Sequence, residues 1–258
     1  MSYLIKIDSS TLTGVNSANY STNFSTTLKL DGKYEIALVR ANIWYSWYNI
    51  SSEYNNTLFK YTTQNPPLVF PMYKSIIIPS GNYSIEDLNF YIQSQLEKNG
   101  DWDSVNQKHY INITPNYNTG KVEITVSNNY VITLMDNDLN ITLGFEKLIL
   151  VNNLGPAEKV FTGSKVADIT NGINSIMIHC DLVVDSFENG VSGDVVWSFT
   201  PNSPPSTNLD IEPLQRIYLP IKTNNIQKIT MKITDQKNRV LNLNGEPTTY
   251  LLHLKKVE

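Results

Sequence analysis

Residues 175–205 read SIMIHCDLVVDSFENGVSGDVVWSFTPNSPP. The apolar run from Ile176 to Val184 is bounded by turn signals, the pattern of a strand buried on both faces. A polar, glycine-bearing segment, Asp185 to Asp194, separates it from a second apolar run, Val195 to Phe199. Pro201, Pro204 and Pro205 then remove ladder donors and end that run. Two buried strands joined by a polar excursion place this stretch in the core of a β-sandwich, not at its edge. The chain on both sides must therefore supply partner strands.

The N-terminal side does so. Tyr3 to Asp8 alternates as a strand, with Leu4, Ile5 and Ile7 apolar. A polar loop, Ser9 to Ser21, leads to Phe24–Leu30. The Asp31–Gly32 turn then predicts a hairpin with Tyr34–Val39. The aromatic segment Ile43-Trp44-Tyr45-Ser46-Trp47-Tyr48 is compatible with two uses. It can be a binding platform, or a strand packed on a partner sheet or subunit. Trp44, Tyr45, Trp47 and Tyr48 are thus the candidate subunit- or ligand-contact residues. Leu58–Tyr61 is a short strand, and the three prolines between Asn65 and Met72 mark a linker.

After Ser75–Gly81 the hydrophobic period changes. Ser84 with Asp87 forms a capping-box-like start. Ile85, Leu88, Tyr91, Ile92 and Leu96 share one helical face, and Asn99–Gly100 stops the helix. Strands follow at Tyr110–Ile113, Lys121–Val126 and Tyr130–Leu134, the last two expected as a hairpin over Asn128–Asn129. One helix on one small antiparallel sheet is an α+β unit, assigned to residues 79–150. Leu154 to Thr170 reads as irregular. C-terminal to the core pair, strands are expected at Arg216–Pro220, Gln227–Thr234, Val240–Leu243 and Thr248–Leu254. The expected fold is mainly β: a jelly-roll β-sandwich (residues 1–78 and 151–258) with a small α+β insertion subdomain.

Composition narrows function. The net charge of −4 argues against nucleic acid as the main partner, because phosphate binding needs a basic field. Lys255–Lys256 reads as a solvated tail. Charged residues make up 17% of the chain, below the usual quarter, and Asn, Ser and Thr supply the polar surface. The single cysteine, Cys180, rules out an intrachain disulfide and fits a small core residue in a reducing compartment. Neither a secretory signal nor a membrane-spanning stretch is read. The Asn-x-Ser/Thr triplets at Asn19, Asn23, Asn49, Asn55, Asn82, Asn112 and Asn140 are accordingly taken as unglycosylated.

Catalytic patterns are missing. His109, His179 and His253 have no second His or Cys at metal spacing. No phosphate loop is present. Asp181 and Asp185 lack a glycosidase-like setting, and Thr234-Asp235-Gln236 reads as a β-turn capped by Asp. Neither an enzyme nor a cofactor is expected.

An ordered series of segments carries a resemblance. Tyr34-Glu35-Ile36-Ala37-Leu38-Val39 leads into Trp44-Tyr45-Ser46-Trp47-Tyr48-Asn49-Ile50. Ile78-Pro79-Ser80-Gly81-Asn82-Tyr83-Ser84 precedes Asp87-Leu88, and Leu143-Gly144-Phe145 closes the insertion. His179-Cys180-Asp181-Leu182-Val183 goes with Asp194-Val195-Val196-Trp197-Ser198-Phe199-Thr200-Pro201. Ile233-Thr234-Asp235-Gln236 and Asn244-Gly245-Glu246 complete it. In this order the chain resembles the single jelly-roll minor capsid (penton) proteins of Polinton/Maverick elements, virophages and adenovirus-like viruses. The resemblance implies a structural virion protein, made inside the host cell and not secreted. It implies homopentamers at icosahedral five-fold vertices, surrounded by the major capsid protein of the same virus. It also implies contact with a fibre or host receptor through an outward insertion. The other function class the sequence admits is a receptor- or carbohydrate-binding β-sandwich, a spike or lectin-like module.

Overall fold

The computed structural model describes residues 1–12, 16–63, 73–152, 157–170, 172–188 and 190–257. In chain order the strands begin with β1 (Ser2–Asp8), β2 (Asn19–Lys29), β3 (Tyr34–Trp44), β4 (Leu58–Thr63) and β5 (Lys74–Ile77). Helix α1 (Ile85–Lys98) follows, then β6 (Trp102–Asp103), β7 (Lys108–His109), β8 (Ile111–Asn116), β9 (Lys121–Ser127), β10 (Tyr130–Thr133), β11 (Ile149–Asn152) and β12 (Glu158–Thr162). The C-terminal part holds β13 (Ile176–Cys180), β14 (Ser186–Glu188), β15 (Val191–Gly193), β16 (Val195–Phe199), β17 (Asn208–Ile211), β18 (Leu219–Pro220), β19 (Asn225–Asp235) and β20 (Thr248–Lys256). The chain forms two compact units, residues 1–47 with 173–258, and residues 48–172.

The first unit is a two-sheet sandwich. One sheet has the order β1-β20-β3-β17, with β18 also on β3; the other has the order β16-β13-β19-β2. All these pairs are antiparallel. Lettered B to I in chain order, the eight long strands give sheets BIDG and CHEF, the jelly-roll arrangement. Period-2 alternation builds the core between them. Along β20, Tyr250, Leu252 and Leu254 are buried while Leu251 and His253 are half-exposed. Strand β13 is buried at every position. Its inward side chains, Ile176, Ile178 and Cys180, meet Ile36, Leu38, Met231, Ile233 and Leu252 in one cluster.

The core pair of the sequence reading is present, with Ile176 opposite Phe199 and Ile178 opposite Trp197. Two of its details change. The strand ends at Cys180, where the Val183 N–H donates to the Cys180 carbonyl (3.0 Å) and turns the chain. And β16 lies at the edge of its sheet, with Trp197 and Phe199 half-buried. The expected hairpin over Asp31–Gly32 does not form. A tight I′ turn needs positive φ at both central residues; Gly32 has φ 93° but Asp31 is not in that region. The chain instead crosses between sheets there, β2 pairing with β19 and β3 with β20. Of the strands expected at 216–220 and 240–243, only Leu219–Pro220 and a single Thr234–Val240 bridge pair.

The second unit is larger than residues 79–150. Strand β10 sits between β4 and β11 in a four-stranded sheet, β11-β10-β4-β5, so both flanks of the expected insertion belong to it. For the same reason β9 and β10 are not a hairpin: β9 is already central between β8 and β12. Strand β12 itself lies in the stretch read as irregular. The proline-rich 65–72 linker falls outside the described residues. The helix is as read. The Ser84 Oγ accepts the Asp87 N–H (3.1 Å), Asp87 accepts the Ser84 N–H (3.0 Å), and Gly100 takes φ 73° just past the end. Ile85, Leu88, Ile92 and Leu96 are buried with Ile124, Val126, Ile132 and Leu134. Tyr91 stays half-exposed, and its hydroxyl donates to the Ile77 carbonyl.

At Gly144 only glycine fits. It has φ 73°, and a Cβ there would stand 2.4 Å from the Lys165 carbonyl oxygen. Two changes test the separation of cores. Leu88, 1% exposed, becomes a buried charge in Leu88→Asp, at a cost of about 3–5 kcal/mol to its own unit. Gly144→Ala should act on the same unit through strain and clash. In hydrogen exchange read by mass spectrometry, peptides from residues 73–152 should lose protection in both variants. Peptides from β13 and β20 should keep theirs; loss in both sets at once would mean a single shared core.

Candidate functional site

The aromatic segment is the first site candidate. Trp44 ends β3 opposite Asn208 and is 36% exposed. On the same face Arg40 and Asn42 donate to Asp210 (Arg40 Nε to Oδ1, 2.7 Å), and the guanidinium holds that carboxyl below its usual range. The chain then turns: Ser46 N–H donates to the Trp44 carbonyl, and Ser46 Oγ to the Leu243 carbonyl (2.6 Å). Trp47 keeps the inward parity of Ala41 and Ile43 on β3. Trp47 is 2% exposed within the sandwich core, so it is a packing residue and not a contact residue. Tyr45 stacks on it, ring centroids 4.1 Å apart, and burial raises its phenol pKa. Tyr48 is half-buried and belongs to the second unit. Of the four residues, Trp44 alone presents a ring to solvent as a large exposed side chain.

Sequence reading left His179 without a partner; the fold supplies two. His179 lies on the outward side of β13, yet is 3% exposed. Its Nδ1 is 2.7 Å from Asp194 Oδ1 and its Nε2 is 2.8 Å from Thr234 Oγ1. The Thr234 hydroxyl can donate to a neutral imidazole or accept from a protonated one, so the network stays satisfied in either state. His179 and Lys232 hold the Asp194 carboxyl below its ordinary value of 3.8. A surface recess of about 380 Å³ opens beside it, lined by Val191, Ser192, Gly193, Asp194, Lys232 and Asn238. The β14–β15 hairpin forms one wall, its Ser186 Oγ accepting the Val195 N–H. Cys180 is on the opposite side of β13, fully buried, with its thiol pKa pushed up to about 12 by burial. The two neighbours cannot act as a nucleophile–base pair, because adjacent strand residues face opposite ways.

The other motif residues also turn out to be brackets. Asp235 accepts the backbone N–H groups of Lys237 and Arg239, fixing the turn read from sequence. Gln236 Oε1 accepts from Asn174 and Ser175. In the second unit Ile50 and Gly81 exchange backbone hydrogen bonds (3.1 and 2.9 Å). Beside them Asn49 donates to the carbonyls of Tyr83 and Ile169 and accepts the Tyr83 N–H. Asn140 donates to the Phe145 carbonyl. Asn49 and Asn140 are 8% and 4% exposed, which closes these two triplets to glycosylation in the folded chain. Sequence gave no signal for this role, since a bracket is defined by carbonyls distant along the chain.

Near the end of α1, Asp101 accepts from Tyr61 (2.6 Å) and from Lys74 (2.6 Å). Burial and the Asp101 hydrogen bond together raise the Tyr61 phenol pKa. Among the described residues no group of three or more His, Cys, Asp or Glu side chains is placed to hold a metal ion. No described helix is long and apolar enough to cross a membrane.

No family model matches the chain, and no curated protein matches it. Among solved structures it is similar to the penton protein of mavirus, at 15% identity and a TM-score of 0.52, over the full length of both chains. At that identity the likeness is one of fold: a mainly β chain whose jelly roll corresponds to that of a penton protein.

The His179 network has a pH signature. Because the folded Asp194 pKa is depressed, its contribution is present above the unfolded value of 3.8 and is lost as pH falls through the lower folded value. The carboxylate is 39% exposed, and solvent screening keeps the effect near 1 kcal/mol. Asp194→Asn should therefore lower the urea midpoint at pH 6 and lower it by less at pH 3. An equal loss at both pH values would assign Asp194 a purely steric role.

Proposed function

We propose that the protein is a penton, or minor capsid, subunit: a structural virion protein forming homopentamers at the five-fold vertices of an icosahedral shell. The observation that carries this reading is the BIDG/CHEF jelly roll interrupted between its D and E strands by a second compact unit. Its likeness to the mavirus penton protein spans both chains from end to end. The major capsid protein of the same virus surrounds the pentamer in this reading. The second unit, inserted between β3 and β13, is the part available to a fibre or host receptor. The chemistry agrees: His179, Cys180 and the buried carboxylates of Asp101 and Asp235 are spent on packing and hydrogen-bond brackets. No catalytic role is assigned.

A jelly roll that joins its neighbours side by side forms a closed ring through heterologous contacts, not a two-fold dimer. Native mass spectrometry across a concentration series, with negative-stain images, should show five copies of the 29.2 kDa chain as a ring. A stable two-fold dimer would contradict the vertex role. A monomer that binds a glycan array would favour the carbohydrate-binding reading instead.

A further inference from the structure

The two longest tracts without Asp, Glu, Lys or Arg are residues 9–28 and 195–209. They are far apart in sequence and unrelated in motif. The fold places them at the two ends of one sheet. The first ends in β2 and the second begins with β16, and these are the edge strands of the order β16-β13-β19-β2. Edge strands in soluble proteins usually carry charge, because an unpaired row of N–H and C=O groups otherwise invites another strand.

The other sheet of this sandwich follows that rule. Its edge β1 bears Lys6 and Asp8, paired at 3.2 Å, and its edge β17 bears Asp210, paired with Arg40. In the CHEF sheet the charge is inverted. Lys228 and Lys232 sit on the central strand β19, while β2 has only Lys29 at its last position and β16 has none. Apolar side chains that lean on the sandwich core but stay half-buried lie on both edge strands, Phe24 and Leu28 on β2 and Trp197 and Phe199 on β16, and Ser186 takes up only the Val195 N–H at the start of β16. Depletion of charge with enrichment of aromatics is the composition of an interface core. The pairing of β2 with β19 slips between Asn23 and Leu28, which blunts that part of the edge and leaves Asn19–Asn23 in register.

We infer that the β2 edge of one copy of this chain packs against the β16 edge of the next. The occupant of each bare edge is a second copy, because every copy carries both halves of the contact. Within one chain the two edges are separated by two strands, a distance of about 14 Å, so they cannot satisfy each other. A head-to-tail contact of unlike edges repeats around a ring. This interface rests on the pentamer proposed above and specifies which surfaces make it.

The test uses Asn23 on β2 and Ser198 on β16, both exposed, and relies on Cys180 being buried. A flexible bis-maleimide should link the Asn23→Cys/Ser198→Cys double variant into a ladder ending at ring size. Each single-cysteine variant alone should give no covalent dimer, since like edges do not meet. A charge pair gives an independent readout. Asn23→Lys/Ser198→Lys should weaken ring assembly at least about tenfold, whereas Asn23→Asp/Ser198→Lys should keep it. Covalent dimers from one single-cysteine variant would overturn the inference. So would rings indifferent to both charge pairs and giving no ladder, although these would leave the vertex role standing. Wild-type chain that remains monomeric at every concentration would overturn both.

Discussion

The constraint on which the first unit depends is the burial of β13 from both sides. Its inner side chains fill the sandwich and its outer His179 is covered, so all five residues from Ile176 to Cys180 are buried. A strand in that position needs a neighbour on each edge, and it has them in β16 and β19. Those partners come from later in the chain, while β1, β2 and β3 come from before an excursion of residues 48–172. The sandwich is therefore closed only when the chain returns at Ile176. Pairing of such distant segments carries a loop-closure cost, and the apolar content of β13 is what offsets it.

Uncharged polar residues serve two opposite ends in this chain. Inside the second unit, Asn49, Asn56 and Asn140 satisfy backbone groups that no ladder reaches; Asn56 alone accepts from Ser51 and donates to the Asn49 carbonyl. An amide can do this because it both donates and accepts and has no charge to desolvate. In the proposed ring, the Asn, Ser and Thr on the edges of the CHEF sheet would let another subunit cover them without stripping ions of water.

What could be read from sequence follows from which features are local. The α1 cap, its buried stripe of Ile85, Leu88, Ile92 and Leu96, and the buried character of β13 and Cys180 are all encoded within a few residues of themselves. The pairing of β13 with β16 was legible because both runs are apolar and close in sequence. Partner choice elsewhere was not. Alternation along β2 and β3 is the same whether they form a hairpin or cross between sheets, and the strands that take their edges, β19 and β20, lie about two hundred residues on. Trp47 falls among the contact candidates because it continues an aromatic run, although its spacing from Ala41 and Ile43 already puts it on the inward side of β3. The reach of the second unit beyond residues 79–150 was hidden because β4 and β11 join it through β10, not through their sequence neighbours.

A sandwich closed around β13 buries Cys180, the chain's one thiol, which reports on that closure directly. Its labelling by a thiol reagent should be measured in native buffer and across a urea series, beside unfolding followed by circular dichroism. With the side chain fully buried and its pKa pushed up to about 12, labelling should be negligible in native buffer. It should then rise with urea in step with loss of β structure. Rapid labelling of the folded chain, at the rate of a free thiol, would show that β13 is not held at the centre of a closed sheet, and the jelly-roll account would fail with it.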